Sequence, residues 1–92
     1  MSDTYQLPQQ ISHENAEEVL AAGERSLKGL PAGSAWVINC QSLQSFDSSA
    51  LSVILSLKRR AAKASVTVEL VAVPEKLASL ARVYDLADIV LS

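Results

Sequence analysis

The chain has 92 residues, 49% of them hydrophobic, and eight Lys and Arg against ten Asp and Glu give a formal net charge of −2. One domain spanning 1–92 with a buried core is expected rather than a disordered chain, and with no long run of like charge and few aromatic residues, nucleic acid is not an expected partner. No apolar stretch reaches the ~20 residues of a membrane span, no signal-like segment follows Met1, and Cys40 is alone, so membrane insertion, secretion and a multi-cysteine metal site are not expected.

Tyr5-Gln6-Leu7-Pro8 reads as a short first strand, which Pro8 confines to an edge or a strand end. Ser12 is a candidate N-cap for a helix from about His13. Asn15, with Glu18 three residues on, offers a competing start with capping-box spacing. Ala16, Val19, Leu20, Gly23, Leu27 and Leu30 recur at helical spacing and should face the core. Glu14, Glu17 and Glu18 precede Arg25 and Lys28, the polarity that a helix dipole favours, and Gly29, Pro31 and Gly33 close the unit.

Ala35-Trp36-Val37-Ile38-Asn39-Cys40 is short, apolar and partly β-branched, as a buried strand would be. A polar connection, Gln41 to Ser45, leads to Asp47, Ser48 and Ser49, residue types that begin helices. The helix predicted from Ser48 to Lys63 carries Ala50, Leu51, Val53, Ile54, Leu55 and Leu57, too many apolar residues for one stripe. It is therefore either sandwiched between neighbours or left with an apolar strip as a partner surface, here assigned to Phe46, Ser48, Ser49, Leu51 and Ser52. Lys58, Arg59, Arg60 and Lys63 read as a solvated helix end, with Arg59 or Arg60 pairing with acidic residues of a partner as the alternative.

Val66 to Val73 is the clearest strand, with four valines. Pro74 suits the first position of a third helix bearing Leu77, Leu80, Ala81 and Tyr84 on one face, the Tyr84 ring on the core. Ile89-Val90-Leu91 reads as a last strand. Regular alternation predicts an α/β fold, a mainly parallel sheet of about four strands with three helices. Ligands and partners of such sheets meet the loops at the carboxyl ends of the strands, where His13, Asp47 and Ser48 should lie.

The stretch Leu43-Gln44-Ser45-Phe46-Asp47-Ser48-Ser49-Ala50-Leu51-Ser52-Val53-Ile54-Leu55 resembles the signature loop of STAS domains, found in anti-sigma-factor antagonists and related proteins. The likeness runs from about Leu7 to Leu91, taking in Ile11-Ser12-His13 before the first helix and Glu69-Leu70-Val71-Ala72-Val73-Pro74 as a third parallel strand and turn. Within the family, the compact length and the ending Leu77 to Leu86 are most similar to the small cytoplasmic subunit of Mla-type phospholipid ABC transporters. The resemblance implies a STAS-like fold without cofactor, metal or catalytic residues. It implies docking on the transporter's ATPase subunit, and through it on the permease, at Phe46, Asp47, Ser48, Ser49, Leu51 and Ser52. The alternative is an anti-sigma-factor antagonist controlled by phosphorylation of Ser48. Two departures favour the transporter branch: room for little more than one strand before the first helix, where antagonists have a pair, and Ala50 where they commonly have Gly.

Residue by residue, Asp47 or Ser48 can simply cap a helix, and Cys40 is read as a small buried residue. His13 is read as a surface loop residue. A hydrolase built from Ser48, Asp47 and His13 is disfavoured: there is no Gly-x-Ser-x-Gly elbow and no glycine beside Ser48.

Overall fold

In the computed structural model, which describes residues 3–86, three parallel pairings in two sheets set the architecture. The elements in chain order are β1 (Asp3–Gln6), β2 (Gln10–Ile11), α1 (Ala16–Lys28), β3 (Ala35–Asn39), β4 (Ser45–Phe46), α2 (Ser49–Lys63), β5 (Thr67–Val71) and α3 (Glu75–Val83). One sheet has the order β1-β3-β5, with Tyr5 opposite Ile38 and Ile38 opposite Leu70; the other pairs β2 with β4, Ile11 opposite Phe46. Both are parallel, as the alternation of strand and helix requires.

The central strand β3 shows why one face is covered. Trp36 and Ile38 are fully buried, while Ala35 is exposed and Val37 and Asn39 are half-buried, the period of two that a strand with one core face must have. Helix α1 lies over that face. The Tyr5 hydroxyl donates to the carbonyl of Val19 at 2.8 Å, the Trp36 indole N–H donates to Ser26 Oγ at 3.2 Å, and the two rings stack with centroids 6.2 Å apart. Val19, Gly23 and Leu27 repeat every four residues along its buried side. Helix α2 buries Ala50, Leu51, Val53, Ile54, Leu57 and Ala61, so most of its crowded apolar face goes to the core. Leu77 and Ala81 of α3 join the same buried cluster.

Several local expectations need correcting. Of the two candidate starts for α1 the one at Asn15 holds and the one near His13 does not, because residues 12–15 close a turn of their own: the Ser12 N–H donates to Asn15 Oδ1 at 2.8 Å and the Glu14 N–H to Ser12 Oγ at 3.3 Å. The connection after β3 contains buried Leu43 and ends in β4. Two strands, β1 and β2, precede α1 where room for little more than one was expected; each pairs with a later strand, not with the other. Pro74 stands just ahead of α3 in an extended conformation (φ −63°, ψ 145°) instead of inside its first turn. Tyr84 is 52% exposed, since it follows the end of α3 and lies past Ala81, the helix's last buried residue. Pro8 does end the first strand, whose ladder closes with the Leu7 N–H on the Asn39 carbonyl at 2.9 Å. The strand expected at Ile89-Val90-Leu91 lies outside the described residues.

Candidate functional site

Because β2 and β4 run side by side in the same direction, the loops leaving them emerge together. The first loop carries His13 and the second Asp47, 34 positions later in the chain. The Asp47 N–H donates to the Ile11 carbonyl at 3.2 Å, which extends the ladder into the loop. Its carboxylate then divides its two oxygens. Oδ1 accepts the Ser49 N–H at 2.7 Å, and Oδ2 accepts the His13 N–H at 3.3 Å with the His13 ring nitrogen Nδ1 3.6 Å away. Asp47 thus caps the start of α2 and ties it to the segment ahead of α1. Hydrogen bonds from Ser49 foremost, and from His13, favour the ionised form and hold the carboxyl below the usual carboxylate range.

With Asp47 capping, Ser48 is released from that duty. Its backbone is already helical (φ −63°, ψ −15°), and its carbonyl accepts the N–H groups of Leu51 at 3.1 Å and Ser52 at 3.3 Å. Its side chain makes no cap hydrogen bond, and the residue is exposed. Ser52, one turn along, is exposed too; Phe46 and Ser49 are half-buried. Leu51 is the exception among the six residues assigned to this surface. At 2% exposure it is part of the core, because its position on α2 turns it inward with Ile54, and it supports the surface from beneath. His13 is a surface residue with its side chain 80% exposed; it meets Asp47, while no hydrogen bond joins it to Ser48 among the described residues.

A second feature, not anticipated as a surface, adjoins this tip. Between α1 and α2 runs a shallow apolar groove of about 120 Å³, lined by Ala16, Glu17, Leu20, Ser52, Val53 and Ser56. Ser56 also borders a depression of about 200 Å³ formed with Arg59, Arg60 and Lys63. Arg60 reaches back to α1, its Nε 2.8 Å from Glu24 Oε1. Ala16 and Leu20 pack against the core as their helical spacing predicts, and both are half-buried, so they also line the groove. The signal that could have found them is their place at the margin of the apolar stripe, next to Glu17.

Among the described residues no helix is long and apolar enough to cross a membrane. A family model described as "Mlab, STAS domain" matches residues 6–91, a span that includes the Asp47 tip and both helices of the groove. A search of the curated proteins finds no match.

Proposed function

This chain belongs to the MlaB-type STAS domain family, and from that premise we propose that it is a non-enzymatic protein-binding subunit of a Mla-type phospholipid ABC transporter. In this reading it works on the cytoplasmic side, binds the ATPase subunit, and supports that subunit's assembly and activity in maintaining outer-membrane lipid asymmetry. STAS domains generally mediate protein–protein interactions, and the observation that carries the reading here is the exposed Ser48 hydroxyl left out of the helix cap. A hydroxyl held at a fixed point on a rigid helix start, flanked by Phe46, Ser49 and Ser52, is a ready contact for a partner's polar group. A hydrolytic reading would need a base hydrogen-bonded to the Ser48 hydroxyl, and among the described residues no hydrogen bond joins His13 to it.

The test is binding of the ATPase subunit from the same host by the tagged chain. Ser48→Ala should weaken binding by about two- to ten-fold through loss of the hydroxyl's hydrogen bond, and Ser48→Arg by about ten-fold or more, since a long cation would stand in the middle of a docking surface. Because Ser48 is exposed, both variants should melt close to wild type. Equal ATPase binding by wild type and Ser48→Arg would remove the tip as the docking site. The same exposed hydroxyl favours a second reading, an anti-sigma-factor antagonist switched by a kinase at Ser48. Intact mass of the protein from its host under varied growth separates the two, a phosphate on Ser48 being required by the second alone.

A further inference from the structure

We infer that the α1–α2 groove seats an amphipathic helix of the partner, apolar along the side facing Ala16 and Leu20 and acidic at the end lying over Arg59 and Lys63. The inference rests on the protein-binding reading above and adds the chemistry of the segment that docks.

Ser48, Ser52, Ser56, Arg59 and Lys63 fall within about 80° of arc on α2 at 100° per residue, and span about 22 Å at 1.5 Å per residue. They form a single stripe about four turns long. Its middle is the apolar groove and its end the cationic depression, the two joined at Ser56. Four of the eight Lys and Arg in this net-negative chain fall within residues 58–63, and α2 contains no Asp or Glu. From the facing helix, Glu24 neutralises Arg60. Among the described residues Arg59 and Lys63 have no carboxylate partner, and both are exposed.

Those charges select the occupant. A shallow apolar groove between two helices accepts apolar anchors spaced three and four residues apart, which a helix supplies. Glu17 in the wall near the tip repels a continuous anionic surface, so a phosphate-bearing membrane or nucleic acid fits poorly along the stripe. A protein helix satisfies both ends at once, with a neutral or basic residue beside Glu17 and carboxylates beside Arg59 and Lys63.

The experiment measures the Kd of the chain for the host's ATPase subunit as a function of NaCl. Arg59→Glu combined with Lys63→Glu should weaken binding by about ten-fold at low salt and flatten its salt dependence. Ser56→Trp, which fills the junction of groove and depression, should weaken binding comparably. The conservative pair Arg59→Lys with Lys63→Arg should bind within about two-fold of wild type. Wild-type affinity and salt slope in the charge-reversed pair overturn the inference. If Ser48→Arg weakens binding while that pair does not, the tip reading stands and the groove falls; if neither weakens it, both fall. Flotation with phosphatidylglycerol vesicles and sedimentation of the chain alone cover the other occupants. Loss of vesicle binding or of self-association in the charge-reversed pair, with ATPase affinity unchanged, overturns the inference in favour of a lipid surface or a second copy.

Discussion

The substitution Gly23→Ala probes the contact that sets the α1–α2 spacing, and with it the groove. A Cβ at Gly23 would lie 2.7 and 2.9 Å from the two methyl carbons of Leu57 and 3.1 Å from Cε2 of Tyr5. Both methyls are too close, so the whole isobutyl group must move, and Leu57 is fully buried with the Tyr5 ring beside it. Overpacking of this kind costs about 1–3 kcal/mol. Replacing a mid-helix glycine by alanine offsets about 1 kcal/mol of that through helix propensity. The net is a loss of about 1 kcal/mol, which in a domain this size lowers Tm by roughly 4–8 °C. The sign should reverse once Leu57 is truncated. In a Leu57→Ala background the obstructing methyls are gone, only the propensity gain of about 1 kcal/mol remains, and Gly23→Ala should stabilise. Urea melts of wild type, both single variants and the double variant measure the coupling, expected near 2 kcal/mol. Additive effects, or stabilisation by Gly23→Ala in the wild-type background, would refute the close approach as the determinant.

Asp47→Ala should lower Tm at neutral pH, because it removes both the α2 cap and the tie to His13. A folded-state carboxyl held low contributes stability that is complete above the ordinary Asp pKa of about 3.9 and is lost as pH falls through the lowered folded value. The Tm gap between wild type and Asp47→Ala should therefore narrow in acid, and a gap equal at pH 7 and pH 2.5 would contradict the assignment. Cys40 is fully buried and its thiol is pushed up to about 11 by burial, so a thiol reagent at pH 8 should label it in urea and barely in the folded protein; rapid stoichiometric labelling without denaturant would count against its position. Ser48→Glu should leave the melting temperature within a few degrees of wild type while weakening ATPase binding, and a large loss of stability would show that Ser48 carries part of the fold.

The long elements were legible because their signals were redundant. Helix α2 begins within a residue of its expected start, where Asp47, Ser48 and Ser49 meet a crowded apolar run, and β3 and β5 follow from short β-branched segments. Strands β2 and β4 escaped because two residues carry no periodicity; what makes them strands is pairing with each other across 35 positions. That pairing also assembles the tip, so its residues could be named from local chemistry while the Asp47–His13 contact could not. The crowded face of α2 shows the same limit. Composition required more than one neighbour for it, but only the packing of α1 and β5 decides that Leu51 goes to the core and that the outer stripe holds serines and cations.

The division between Asp47 and Ser48 bears on how such a site can be changed without harm to the fold. A hydroxyl that caps a helix cannot be modified or enlarged without breaking a native hydrogen bond and costing stability. Here Asp47 performs that task and also holds the β2–α1 loop against the start of α2, so the surface stays in place whatever occupies the next position. A negative charge added at Ser48 meets two opposed local fields: the exposed N–H end of α2 attracts it, and the adjacent Asp47 carboxylate repels it. Their partial cancellation leaves the fold little affected. The new charge then acts chiefly outward, on the partner proposed to dock there, rather than through any rearrangement of the core.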